Sequence, residues 1–316
     1  MSQRVALVLG SGGARGYAHI GVIEELLARG YQIDCIAGCS MGAVVGGIYA
    51  AGKLDEYRQW CESLDYLDVL RLLDVSFRLG AIRGEKIFGK IRDILGEISI
   101  EELPIPFTAV ATDLSNQQEI WFQEGCLHQA MRASAAIPSL FSPVVQGSRM
   151  LVDGGLLNPL PIIPVVSSHC DLIIAVNLNG DNHRHYSLPQ IERPAAFKQR
   201  LDQLMGSLGE RLPFLRRSSE LELPDEPATP RAARSASGSQ VSEINGPASL
   251  LELVNQSFEV MQSSLAQYKI AGYPPDLLIN VPKRVCRFFE FYKAPELIQL
   301  GRQIARDSLE QFERQG

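Results

Sequence analysis

Long hydrophobic runs, paired cysteines and excess positive charge are all missing from this chain of 316 residues. No stretch approaches the roughly 18 uninterrupted apolar residues of a membrane span. The first apolar run, Val5-Ala6-Leu7-Val8-Leu9, ends in glycines and is too short for the core of a secretory signal, so none is expected. Six cysteines, at 35, 39, 61, 126, 170 and 286, form no CxxC pair and meet no histidine at zinc spacing. A disulfide framework is therefore not expected; buried free thiols in a reducing, cytoplasmic setting are. Thirty Lys+Arg against thirty-six Asp+Glu leave a net charge of −6, which argues against a general nucleic-acid binder. What is present is ordinary globular material. Apolar residues make up 46% and charged residues 21%, enough for a large buried core.

Residues 4–9 read as a buried strand, followed at once by Gly10-Ser11-Gly12-Gly13-Ala14-Arg15-Gly16. From Tyr17 to Arg29, Ile20, Ile23, Leu26 and Leu27 fall on one helical face, and Gly30 ends the run. Residues 33–37 read as a second buried strand and 42–51 as a helix of small residues. Strand, helix, strand, helix implies a parallel sheet covered on both faces. Further helices are expected at 84–96, 125–135, 248–268 and 295–313, the last opened by Pro295. Strands are expected at 106–112, 118–123, 149–153, 172–178 and 277–281. The domain plan is a core over 1–180, an insertion over 181–246, and 247–316 returning to the same core. Within the insertion, Phe197, Leu201, Leu204, Leu208 and Leu212 recur at spacings of three and four, so 197–217 reads as an amphipathic helix, kinked at Pro213. Residues 218–240 hold Pro, Ser, Ala, Arg and Glu and read as a disordered linker.

Gly38-Cys39-Ser40-Met41-Gly42 follows an expected strand and precedes an expected helix. That is the setting of a nucleophile elbow, in which glycines on either side let a serine hydroxyl project from a sharp turn. The loop at 10–16 does not fit a dinucleotide fingerprint, because Arg15 stands where the third glycine belongs, and no Gly-Lys-Ser/Thr follows to make a phosphate loop. The remaining reading is an oxyanion loop, whose amides meet a developing negative charge. Two glycine turns after neighbouring parallel strands would converge on one point. A serine nucleophile also needs a base. His19, His128, His169, His183 and His185 stand in no motif; His19 reads as a packed, hydrogen-bonded helix residue. Asp153 ends a strand and is followed by Gly154-Gly155 and Asn158-Pro159. A plain turn is the alternative reading there. Asp181, His183 and His185 read as polar loop residues in preference to a metal cluster.

Taken in order, the glycine loop, Gly38–Gly42 and Asp153-Gly154-Gly155 resemble the motifs of the patatin-like phospholipase family. The blocks Ala111-Thr112-Asp113-Leu114 and Arg132–Pro138 match as well. The resemblance is strong over about residues 4–180 and is closest to the short bacterial members related to the neuropathy-target-esterase catalytic domain. Ser11 departs from it, standing where many members have glycine. The resemblance implies an α/β fold: a three-layer αβα, modified α/β hydrolase with a mainly parallel central sheet. It also implies a serine–aspartate dyad with no catalytic histidine. Ser40 is then the nucleophile and Asp153 the base, with Gly10, Ser11, Gly12, Gly13, Ala14, Arg15 and Gly16 forming the oxyanion and substrate-binding loop. Gly38 and Gly42 shape the elbow, and Gly154 and Gly155 the acid turn.

The expected activity is hydrolysis of lipid acyl esters, of phospholipase A or lysophospholipase type, with no cofactor, no metal and no nucleic-acid partner. The alternatives are a soluble carboxylesterase or thioesterase on non-phospholipid esters, and a weakly catalytic lipid-binding regulatory protein. A nucleotide-binding reading ranks below both. Residues 181–217 carry seven Lys+Arg and four Asp+Glu. The helix at 197–217 thus has two readings: packed against the core, which is favoured, or lying on the inner membrane face with its cations on anionic lipid.

Overall fold

Five consecutive buried residues, Val5 to Leu9, make β1 (Arg4–Leu9) a strand covered on both faces rather than an alternating one. A computed structural model describes residues 3–72, 84–138, 141–191 and 250–315. The chain divides into two units, Met1–Gln190 with Leu250–Gly316, and Ile191–Ser249. Everything described except Ile191 belongs to the first. The expected amphipathic helix at 197–217 and linker at 218–240 lie outside the described residues.

After β1 come α1 (Ala18–Ala28), β2 (Gln32–Cys39) and α2 (Met41–Ala50). Two helices that the periodicity did not announce follow, α3 (Leu54–Ser63) and α4 (Tyr66–Leu72). Then come α5 (Glu85–Leu95), β3 (Phe107–Asp113), β4 (Gln118–Phe122), α6 (Leu127–Ser134), β5 (Val144–Gln146), β6 (Arg149–Asp153) and β7 (Leu172–Gly180). Beyond the second unit lie α7 (Leu250–Gly272), β8 (Leu277–Pro282) and α8 (Ala294–Glu313), with Pro295 in the first turn of α8. Proline is tolerated there because the first amides of a helix have no partner within it.

The sheet runs β5-β6-β3-β2-β1-β7-β8, with β4 also pairing β3. Strands β3, β2, β1, β7 and β8 are parallel, and β4, β5 and β6 are antiparallel additions. The sheet is thus mainly parallel, and helices flank it. Val5, Leu7 and Leu9 enter the larger core with α1, α2 and α8. Ala6 and Val8 point the other way, to Leu160, Ile162, Val165 and Ala266 of α7. The period-two alternation of β1 therefore feeds two apolar layers, and α1 and α8 are further clamped by Arg29, Arg302 and Arg306 around the buried Glu25. Among the described residues, no helix is long and apolar enough to cross a membrane.

Candidate active site

Because β1 and β2 are parallel neighbours, their following turns emerge at the same edge of the sheet. Ser40 occupies the turn after β2 with φ 56° and ψ −125°, a conformation L-residues rarely adopt and worth on the order of 1–3 kcal/mol of strain. Helix α2 starts immediately, and Ala43 and Val44 donate their amides to the Ser40 carbonyl at 2.9 and 3.1 Å. A Cβ on Gly42 would stand 2.1 Å from the Leu9 carbonyl oxygen, so only glycine lets this helix start against the end of β1. The Ser40 amide donates to Ser134 Oγ at 2.9 Å, and Ser134 Oγ donates to the Val110 carbonyl at 2.6 Å. Ser134 therefore ties the elbow to β3. The Ser40 hydroxyl itself is buried and makes no hydrogen bond among the described residues.

Sheet register brings Asp153 alongside. Cys39 pairs with Val110 across β2 and β3, and Ala111 pairs with Asp153 across β3 and β6. The Asp153 amide donates to the Ala136 carbonyl at 2.9 Å, and Gly155 N–H donates to Asp153 Oδ1 at 2.7 Å. Asp153 is fully buried, and Oδ2 has no partner. Burial pushes its carboxyl up to about 7, against the opposing pull of the Ser40 hydroxyl and the Gly155 amide. Ser40 is thus near enough to act on the carboxyl while its hydroxyl falls short of hydrogen-bond geometry. Cys39, beside both, has its thiol raised well above the usual range by burial and by the Asp153 and Glu119 charges, so it stays protonated.

The glycine loop is pinned at both ends. Gly10 N–H donates to Val176 O at 3.0 Å, Ser11 N–H to Pro159 O at 2.8 Å, and Ala14 N–H to Phe288 O at 2.9 Å. Between these anchors the amides of Gly12 and Gly13 take no acceptor among the described residues. Gly16 packs against the Met41 side chain at the start of α2, which joins loop to elbow. His19 Nε2–H donates to Gly10 O at 2.8 Å, and burial lowers its pKa to about 4, so it is a neutral anchor for the loop. The Arg15 side chain, expected among the substrate-binding groups, is buried and spends its donors on protein. Nε reaches Leu178 O, Nη1 reaches Lys283 O and Cys286 O, and Nη2 reaches Asn179 Oδ1 and Glu259 Oε1. It holds the loop to the rest of the molecule.

Three of the other histidines are engaged away from Ser40 and Asp153. His128 bonds Phe88 O on α5, His169 precedes β7 at the opposite end of the parallel strands from Ser40, and His183 lines a separate polar cleft with Asp181. Asp181 pairs with Lys283 at 3.3 Å. Among the described residues, no group of three or more His, Cys, Asp and Glu is placed to hold a metal ion.

Ser40 opens into a narrow apolar cavity of about 50 Å³. Val44, Trp60, Ile91, Ile137, Phe141 and Phe291 are among its walls. Much of that wall comes from α3, α4 and α5, two of which the sequence pattern did not announce.

Comparisons with known proteins place the chain in a family. The sequence model of the family described as Patatin-like phospholipase matches residues 7–166. An uncharacterised NTE family protein of Mycobacterium tuberculosis is 45% identical, over 99% of this chain and 93% of that protein. Neuropathy target esterase sws of Drosophila virilis is 32% identical, over 50% of this chain and 11% of that protein. Among solved structures, VipD from Legionella pneumophila superposes with a TM-score of 0.51 at 16% identity, covering 98% of this chain and 67% of that one. The chain belongs to the patatin-like phospholipase family, and that family points to lipid acyl-ester hydrolysis.

Proposed function

We propose that this protein is a serine hydrolase of lipid acyl esters in which Ser40 is the nucleophile and Asp153 the base. The observation that carries the reading is a strained, buried Ser40 in the wall of an apolar slot, beside a fully buried carboxyl raised to about 7. A carboxylate of ordinary acidity is a poor base at neutral pH; one titrating near 7 can accept a proton in the transition state. Asp153 takes the Ser40 proton as Oγ attacks the ester carbonyl, and returns it to the departing alcohol. Water, deprotonated by the same carboxylate, then attacks the acyl carbonyl, and as the bond to Ser40 Oγ breaks Asp153 returns the proton to Oγ and the fatty acid leaves. The Gly12 and Gly13 amides, aided by the N-terminal end of α2, are the donors for the oxyanion.

Covalent labelling by a fluorophosphonate tests the assignment. The wild-type chain is expected to label at Ser40 and Ser40→Ala to remain unlabelled; labelling that survives the substitution would end it. A panel of phospholipid, lysophospholipid, short-chain ester and acyl thioester then separates a lipase from the soluble esterase and thioesterase alternatives. Deleting residues 195–240 distinguishes the two readings of the 197–217 stretch. Loss confined to anionic vesicles supports membrane docking, and equal loss on a soluble ester supports packing.

A further inference from the structure

We infer that Gln262, brought in by α7 from the C-terminal part of the chain, is a positioning residue that holds the glycine loop against the Asp153 turn. The inference rests on the proposed roles of Ser40 and Asp153. The family match ends at residue 166, so α7 lies outside it.

Gln262 is fully buried, and its Nε2 donates to Ser11 Oγ at 3.0 Å. The same nitrogen lies 2.1 Å from where a Cβ on Gly155 would sit, and Asp153 Oδ1 and Ser11 Oγ each lie 2.9 Å from that point. One carboxamide therefore touches the loop that precedes Gly12 and the residue whose amide holds Asp153. Ser11 is fixed from a second side, because Asn179 Nδ2 donates to its carbonyl at 3.1 Å.

The rest of α7 is arranged to keep Gln262 there. Glu259, Gln262, Ala266 and Lys269 recur at spacings of three and four, which places them on one helical face. Glu259 accepts from the buried Arg15 at 3.0 Å, Ala266 is buried in the smaller core, and Lys269 lies 3.6 Å from Glu119. Glu119 in turn accepts from Asn158 Nδ2 at 2.6 Å, just beyond the acid turn. On the other side of the helix, Val260 and Tyr268 are exposed.

One further atom separates positioning from simple packing. Gln262 Oε1 is buried with no hydrogen-bond partner among the described residues. A buried orphan acceptor is destabilising by about 1–3 kcal/mol, so a residue selected only to fill space would be better apolar. Gln262→Met keeps the length of the side chain and removes the bond to Ser11, exchanging the orphaned Oε1 for an unpaired Ser11 Oγ, so the two costs offset one another. If Gln262 only packs, this exchange leaves turnover and melting temperature where they were. If it positions, turnover falls without loss of stability.

The test uses the full-length chain with a soluble p-nitrophenyl ester, in wild type, Gln262→Met, Ser11→Ala and the double variant, with thermal melts of each. The expected result is a fall in kcat of about 10- to 100-fold for Gln262→Met at unchanged KM, the scale of a misplaced catalytic group. Its melting temperature should be unchanged. Ser11→Ala reaches the same bond from its other end and should lose kcat as well, with the double variant no worse than the poorer single one. Unchanged kcat in Gln262→Met, a parallel fall of kcat and melting temperature, or additive losses in the double variant would each overturn the inference. Fluorophosphonate labelling of the wild type distinguishes the two levels. A wild type that does not label at Ser40 loses the dyad and this inference together, whereas a labelled wild type with an indifferent Gln262→Met loses the inference alone.

Discussion

Ser40 stands between two unlike surroundings. On one side are the apolar walls of the cavity, drawn largely from α2, α3, α4 and α5 with Ala135, Ile137 and Phe141. On the other is a buried polar cluster: Asp153, Ser11, Gln262, Asn179 and Arg15, most of them hydrogen-bonded to one another or to backbone. The apolar side has nothing to orient, so its residues are interchangeable within the limits of volume. The polar cluster is held by specific hydrogen bonds, and under the proposed mechanism small displacements there act on the reacting atoms. The two sides should therefore respond differently to substitution: the polar side in rate, the apolar side in choice of substrate.

The largest effects are expected at the proposed dyad. Ser40→Ala is expected to abolish ester hydrolysis with the fold intact, and Asp153→Asn to lower kcat by at least ~10³, since nucleophile and base act as a unit. Single substitutions of His169, His183 or His185 should be harmless by the same assay. Next comes the loop. A side chain on Gly12 would meet Leu178 at 2.5 Å and push the loop aside. Gly12→Val should therefore reduce kcat by ~10²–10³ and leave KM nearly as it was, as loss of an oxyanion donor does. Arg15→Met probes the boundary between structure and catalysis. It strips the partners from buried carbonyls and from Glu259, so chemical denaturation should show a loss of about 3 kcal/mol, while the folded fraction keeps its KM. The smallest change is expected on the apolar side. Val44→Phe narrows the slot and should disfavour long acyl esters by about tenfold relative to short ones, read as a ratio of kcat/KM values. A uniform loss on all chain lengths would show that the two sides are not separable.

The sequence made the first of these sides partly legible and the second unevenly so. The glycine loop, elbow and acid turn are local features, each lying at the end of one strand, and β1, β2, β3 and β6 then bring them together by register. A run such as Val5 to Leu9 shows a doubly covered strand without any knowledge of its neighbours. Residues 52–72 gave no such signal, because α3 buries only Leu54, Tyr57 and Cys61 on a largely polar segment. Arg15 was placed on the loop, but where its guanidinium goes depends on Glu259, 244 residues away. Gln262 was invisible for the same reason: within an amphipathic helix, nothing local distinguishes a glutamine that reaches Ser11 from one that faces solvent. Ser134 lay inside the recognised Arg132–Pro138 block, yet its bond to the Ser40 amide is a long-range contact across α6 and β2.

The central claim is that Asp153, raised to about 7 by burial, is the base for Ser40. The rate constant for fluorophosphonate labelling of Ser40, measured from pH 5 to pH 9 in wild type and Asp153→Asn, tests it most directly. The base works only when ionised, so labelling in the wild type should rise with pH, turn near 7 and level off above it. Asp153→Asn should label far more slowly at every pH, with that inflection gone. The same inflection persisting in Asp153→Asn at comparable rates would show that another group takes the proton.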